Sequence, residues 1–365
     1  MSNLTKANEE LFRRAPDECF SSLPAIWEHC HQRRERGTDH WHPPQSLRPG
    51  VQDKRFVLAL GGDEPLQMND WSFAQLCRLA RVSKDTLVRV TPQTAGRVLD
   101  ETLPTADKPV QILTEGDLIR SIHGVAYTRL WDVELLTMLR EFATDFQPPQ
   151  QARVAEDARG VADDDLPFVP DSEPKSKRGT GLYCGEQDMF VFMIDPLGWT
   201  EINGEAFAPG FFLWNSEVGR RAVGVQTFWF QAVCQNHIVW DAVEVTEFTR
   251  KHTANVHDSI RDIRTIIANL VEQRDQRRDG FAKVIKKAME TTLGGNADEA
   301  MKVLDRYGIT RTLAKSALDI ARRKGKFTIF AVVDALTQLS GTIPHAGDRA
   351  EADQKAGRLL ALASA

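Results

Sequence analysis

The fold is decided between Gly181 and His252. That stretch reads GLYCGEQDMFVFMIDP (181–196), then PGFFLWNSEVG (209–219), AVGVQTFWFQAVCQNHIVW (222–240) and DAVEVTEFTRKH (241–252). DMFVFMID (188–195) is nearly all apolar, as expected for a strand covered on both faces. GFFLWN (210–215), Ala222 to Val233 and IVWDAVEV (238–245) are three more β-like runs. Gly198, Asn203-Gly204 and Gly219-Arg220-Arg221 read as the turns between them, the Asn-Gly pair with hairpin character. The expected product is an antiparallel sheet.

Downstream the period changes. Val256, Ile260, Ile263, Ile267 and Leu270 recur at steps of four and three, the pattern of a long packed helix. The rest of the chain reads as helical, with Phe281, Val284, Ile285, Ala288 and Met289 on one face and FTIFAVVDALTQL (327–339) apolar enough to be buried.

Upstream, residues 147–180 carry seven carboxylates between Ala155 and Glu173, opposed only by Arg159, with prolines and almost no periodicity. Such composition cannot bury enough surface to fold alone and reads as an acidic linker or insertion. Before it, Leu130, Val133, Leu136, Leu139 and Phe142 mark a helix, and VQILTEG (110–116) and IRSIHGVAYT (119–128) mark strands. Ser72 with Gln75 has the form of a capping box, and Thr91-Pro92 opens a further helix. The helices from Ser72 and from Lys84 admit a helix-turn-helix reading in which Lys84, Arg89 and Arg97 face DNA, beside the plainer one of helical packing with solvated basic residues. Residues 1–50 read as a polar segment. Within it His29, Cys30, His31, His40 and His42 are candidate zinc ligands, but their spacing lacks the paired pattern of a trusted zinc site.

The expected organisation is therefore a polar segment (1–50), an α/β part (51–146), the acidic stretch (147–180), the sheet with its long helix (181–276) and a helical part (277–365). The class is α+β, with a helical N-terminal layer, a central antiparallel sheet followed by a long helix, and a helical C-terminal part.

The bulk chemistry narrows the functions. The net charge is −5, from 46 basic and 51 acidic residues, so no overall basic field draws the chain to a polyanion. Without the acidic stretch the remainder is close to neutral, which leaves room for a local basic face. The five cysteines are odd in number and widely spaced, which suits a reducing cytoplasm better than a disulfide framework. No signal peptide and no membrane span are expected. GxxxxGK[ST] is absent, which excludes a P-loop nucleotide site.

Several motifs in order resemble a family of phage- and plasmid-borne proteins, labelled phage/plasmid-like protein, a domain of unknown function. They are DMFVFMID, PGFFLWNSEVG, TFWFQAVCQNHIVW and KHT, together with IRSIHGVAYTRLWDVELL (119–136), FAVVDALTQLSG (330–341) and DRAEADQKAGRLL (348–360). The acidic insertion and the Arg220-Arg221 pair depart from the pattern. The resemblance implies a mobile-element protein without a settled chemistry. A sheet followed by a long helix is also the layout of the RecT and Red-beta single-strand annealing superfamily, an analogy of fold alone.

These readings converge on single-stranded DNA as the partner, with strand annealing as the further step, in a likewise expected homo-oligomer. Arg120, Arg129, Arg220, Arg221, Arg250, Lys251 and His252 are the candidates for tracking phosphates. Tyr127, Trp214 and Trp229 are the candidates for stacking bases, since single-strand sites combine a positive groove with aromatic faces. The bland alternative for each arginine or lysine is a solvated charge, and for each tryptophan a place in the core. No catalytic residue, metal, cofactor or small-molecule substrate is assigned. Two alternatives stand beside this reading. One is an oligomeric scaffold or anti-defence interaction protein. The other is a metal-dependent nuclease built on Asp188, Asp195, Glu217, Asp241 and Glu244. Cys234 and His237 lie three apart at a strand end and do not meet as a nucleophile pair without a turn.

Overall fold

The computed structural model describes residues 14–52, 55–149, 181–231, 237–240, 246–323 and 327–364. The acidic stretch lies outside the described residues from position 150 onward, as do Cys234, Asn236, Asp241 and Glu244.

Residues 14–50 are built into the fold, which corrects the expectation of a polar segment for that part. After β1 (Glu18–Cys19) comes α1 (Leu23–Arg36). Ser22 caps α1, its hydroxyl accepting from Ala25 N at 3.3 Å, and Ile26 and Cys30, four apart, turn one face into the core. Arg33, Arg34 and Arg36 in its last turn suit the negative end of the helix dipole. The polar composition misleads because that face alone is apolar.

The chain then forms β2 (Gly37–His42), β3 (Leu47–Gln52), β4 (Arg55–Leu60) and β5 (Leu66–Met68), followed by α2 (Asp70–Leu79), α3 (Lys84–Leu87) and α4 (Pro92–Thr102). The capping box of α2 begins three residues earlier than the reading from Ser72. Asn69 is the cap, its Oδ1 accepting from Ser72 N at 2.8 Å while Ser72 Oγ accepts from Asn69 N at 3.1 Å. Thr91 caps α4 as expected. β6 (Val110–Glu115) and β7 (Leu118–Gly124) complete a sheet of order β2-β6-β7-β5-β4-β3, antiparallel except where β5 runs parallel to β7. Phe56, Leu58, Phe73, Leu76, Leu99 and Ile112 centre the core between this sheet and α2–α4.

α5 (Asp132–Phe142) leads to the larger sheet. Its strands are β8 (Leu182–Cys184), β9 (Met189–Ile194), β10 (Thr200–Ile202), β11 (Glu205–Asn215), β12 (Val223–Gln231), β13 (His237–Trp240) and β14 (Glu247–Arg250). The order is β1-β8-β9-β11-β12-β13, with β10 on β11 and β14 on β12, and every described pairing is antiparallel. Asn203 and Gly204, at φ of 52° and 82°, make the β10–β11 hairpin turn. Both lie in the left-handed region that a type I′ turn demands.

The continuous apolar runs have a structural cause, because this sheet is covered twice. Met189, Val191 and Met193 face α1, α5 and α6 (Asp258–Glu272). Phe190, Phe192 and Phe212 face the other way, toward Ala346 and Ala350 near the C-terminus. The seam that begins at Val256 is present in α6, with Ile263, Ile267 and Leu270 buried. The helix stops at Glu272, and α7 (Arg274–Glu290) follows after Gln273.

α7, α8 (Ala297–Arg306), α9 (Arg311–Arg323), α10 (Ile329–Ser340), α11 (Ala346–Gly357) and α12 (Ala361–Ser364) build the helical C-terminal part. The class is α+β. No helix among the described residues is long and apolar enough to cross a membrane.

One buried acid in this helical part sets a pH response. Asp353 on α11 accepts from Ser340 Oγ of α10, and burial pushes its carboxyl up to about 8 from 3.8. The folded chain keeps that proton where the unfolded chain has lost it. The group's contribution is therefore complete below pH 3.8 and is lost as pH rises through 8, at up to about 1.4 kcal/mol per unit. Asp353→Asn is expected to melt above the wild type at mildly alkaline pH, with the gap closing toward pH 4. Thermal melts of both proteins across that range check it, and a gap independent of pH would contradict it.

Candidate functional site

The turn from β11 to β12, Asn215-Ser216-Glu217-Val218-Gly219, drives into the smaller sheet and organises a buried polar centre. All of its first four residues are buried. Asn215 Nδ2 donates to Leu130 O at 2.9 Å and to Asp132 Oδ1 at 2.8 Å. Ser216 Oγ donates to Gln187 O and accepts from Arg220 N. Glu217 Oε2 accepts from Arg120 Nη1 at 3.1 Å, and its Oε1 accepts from Asp132 N at 3.2 Å at the start of α5. The Glu217 carbonyl accepts from Tyr127 Oη at 2.7 Å and from Arg129 Nη1. Val218 O accepts from Trp71 Nε1 at 2.8 Å. The sequence suggests a turn whose Asn and Ser bond local backbone. Ser216 does bond locally, to Arg220 N, but the other bonds run across to distant parts of the chain.

Gly219 has φ of 70°, and a Cβ there would stand 2.5 Å from the His123 ring and 2.9 Å from the Tyr127 ring. Tyr127 is stacked between His123, at 3.7 Å, and His252, at 5.4 Å. Burial, with Arg129 adding to it, lowers His123 to about 3. Burial likewise lowers His252 to about 4. Both rings are neutral at physiological pH.

Beneath the turn lies a second group. Cys30 Sγ of α1 and Cys184 Sγ of β8 are 3.8 Å apart, and Asp132 at the start of α5 joins them, the three donor atoms lying within 4.8 Å of one another. Arg33 Nη1 donates to Cys184 Sγ at 3.2 Å and to Gly185 O at 2.9 Å. The hydrogen bond from Cys30 holds the Cys184 thiol well below its usual range, against burial, with Arg33 and His29 acting in the same direction. The same bond, then burial, pushes Cys30 up. Burial pushes the Asp132 carboxyl up, and Glu217 adds to it.

The residues expected to meet DNA divide by burial. Arg120 and Arg129 are buried, the first paired with Glu217 and Glu115, the second with Asp39 at 2.8 Å and the Glu217 carbonyl. Tyr127 and His252 belong to the ring stack. Trp229 is fully buried with its ring stacked on Phe281 at 4.0 Å, so neither face is open to a base. Trp214 is half-buried, stacked on Phe212 at 4.8 Å. Arg221 joins Asp188 at 3.1 Å and Glu351 at 3.0 Å, and Arg250 joins Asp262 at 2.7 Å. Arg220 and Lys251 are exposed.

Arg220 has company that the sequence reading missed. Its guanidinium lies 5.5 Å from the centre of the Trp71 ring, and Arg78, also exposed, lies 5.9 Å from the same ring. No carboxylate pairs with either arginine among the described residues. Trp71 and Arg78 are seven apart on α2, two turns and so one face. That spacing is a signal the sequence carries. What brings Arg220 to it is the turn, which no local pattern announces.

The nuclease alternative finds no convergence among its described carboxylates. Asp188 is held by Arg14 and Arg221, Asp195 by Arg274 and Glu217 by Arg120. The His and Cys residues between 29 and 42 also disperse. His31 stacks on Trp27, His40 bonds Thr114 Oγ1 at 2.9 Å, and Cys30 turns inward.

Residues 180–307 match DUF932, a domain of unknown function. No curated protein and no solved structure matches the chain. The DUF932 region takes in β8 to β14 and α6 to α8, and so contains the Asn215–Gly219 turn, Cys184 and His252. Arg120, Tyr127, Arg129, Asp132, Cys30 and Trp71 approach it from outside those limits.

Proposed function

We propose that the chain binds single-stranded DNA, in a phage- or plasmid-type element, through half-buried Trp71 and the exposed Arg78 and Arg220 that flank it, with exposed Lys251 as a further cation. The observation that carries this reading is the aromatic ring flanked by two guanidinium groups that have no acidic partner among the described residues. A single strand needs cations for its phosphates and a ring face for its bases, and arginine supplies cation–π contacts as well. The backbone register brings Lys251 near the segment that carries Arg220. β14 pairs antiparallel with β12 so that Arg250 opposes Val223, which puts the residue after Arg250 beside those before Val223. The buried arginines act at one remove, fixing the turn that presents Arg220.

Annealing of complementary strands, assembly into a homo-oligomer and residence in the cytoplasm belong to the same proposal. The phage and plasmid resemblance and the sheet-then-helix layout support them.

The test is a titration of the full chain against labelled single- and double-stranded oligonucleotides, with Trp71→Ala and Arg78→Ala/Arg220→Ala alongside. Tighter binding to the single strand is expected, with each variant weaker by roughly tenfold, as removal of one stacked base at ~1–3 kcal/mol implies. Equal affinity in wild type and both variants would overturn the assignment to this surface.

A further inference from the structure

We infer that Cys30, Cys184 and Asp132 form a structural zinc site, with His29 as the fourth donor. The inference stands apart from the proposed DNA surface and uses other residues.

The geometry fits before any metal is considered. Two thiolates bound at about 2.3 Å with tetrahedral angles stand about 3.8 Å apart. Cys30 and Cys184 are 3.8 Å apart, and the carboxylate of Asp132 completes a triangle of donors within 4.8 Å. All three residues are buried, as in a closed structural site that leaves no position for substrate. Their elements are α1, β8 and α5, so one ion would tie together three segments that are distant in sequence.

His29 gives an independent pointer. Its Nε2 is buried and has no hydrogen-bond partner, while Nδ1 faces Glu18 at 3.9 Å. Glu18 is beyond hydrogen-bond reach at that distance, but it stands on the side where a metal-ligating histidine commonly has a carboxylate partner. Consecutive residues on a helix diverge by about 100°, and His29 does not stand within 4.8 Å of all three donors, so its ring would turn in from the rim to complete the set.

Charge decides which ion fits. Two thiolates and a carboxylate sum to three negative charges, and Arg33 beside Cys184 supplies one positive charge. A divalent cation closes the balance. Soft thiolates with imidazole and carboxylate, in a four-donor set, select zinc over magnesium or calcium. Binding releases to solvent whatever protons the two thiols and the Asp132 carboxyl carry without the ion, so affinity rises with pH. Arg33 then donates to the zinc-bound sulfur from outside, and Asn215 Nδ2 orients Asp132.

The experiment measures metal in full-length protein purified under reducing conditions without chelator, and then the absorption of the chelator-stripped protein refilled with cobalt(II). Stoichiometric zinc is expected, with a thiolate-to-cobalt charge-transfer band and visible bands of tetrahedral intensity. Cys30→Ser and Cys184→Ser should abolish the charge-transfer band. Asp132→Asn and His29→Ala should keep it and weaken zinc at least about tenfold. Because a cysteine variant can also fail to fold, the wild-type spectrum carries the decision. A folded wild type without zinc and without a charge-transfer band would overturn the site. So would a Cys30–Cys184 disulfide found by mass in protein prepared under reducing conditions. Zinc that persists in both serine variants would place the metal elsewhere and equally overturn it.

Discussion

Glu217→Ala should cost about 3–5 kcal/mol of stability, the scale for removing one partner of a buried ion pair. The Glu217 side chain is fully buried and that of Arg120 is 4% exposed, so the substitution leaves a buried guanidinium with only the longer contact to Glu115, at 3.6 Å, as its counter-charge. It also removes the acceptor for Asp132 N, the first amide of α5. The backbone contacts of Tyr127 and Arg129 to the Glu217 carbonyl survive, so the loss belongs to the side chain. Glu217→Gln keeps an acceptor without the charge and should fall between wild type and Ala. Pairing Glu217→Ala with Arg120→Met should recover part of the loss, because an apolar pair no longer buries an unpaired charge. Urea unfolding of the four proteins measures this. A loss under about 1 kcal/mol for Glu217→Ala would mean the pair is open to solvent.

Trp229→Ala should cost a similar amount, about 3–5 kcal/mol, for a different reason. The indole fills space between β12 and α7, flat against Phe281 and in one cluster with Phe207 and Ile285. Its removal leaves a cavity where sheet and C-terminal helices meet. Trp229→Phe keeps most of the volume and should cost far less. Single-strand affinity of the folded protein should be unchanged by Trp229→Phe, since the ring is wholly buried. A selective loss of binding with stability intact would contradict that placement.

The contrast between Trp229 and Trp71 shows what a sequence carries. Strand positions in the larger sheet were legible because a sheet covered on both faces writes long apolar runs, and Asn203-Gly204 demands a turn by its backbone alone. Exposure within those runs was not legible, so a tryptophan in TFWFQ reads equally as core or as a stacking platform. The arginines were ambiguous for the same reason. Arg120 and Glu217 are 97 positions apart, and nothing local distinguishes a buried arginine with a distant partner from a solvated one. Cys30 and Cys184, 154 positions apart, could not be paired from spacing. The histidines near Cys30 scatter, His31 onto Trp27 and His40 onto Thr114, while Cys30 turns inward to Cys184. Residues 14–50 hid their fold behind polarity because only every third or fourth side chain of α1 faces inward.

The salt dependence of single-strand binding tests the central claim most directly. Neutralising phosphates releases counterions, so the logarithm of affinity should fall linearly with the logarithm of salt, at about −0.7 per contact on a single strand. Wild type should show such a slope, and Arg78→Ala/Arg220→Ala should show one shallower by about 1 to 1.5, for two lost contacts. No binding to either strand form at low salt, or an unchanged slope in the double variant, would contradict the assignment of DNA binding to the Trp71 surface.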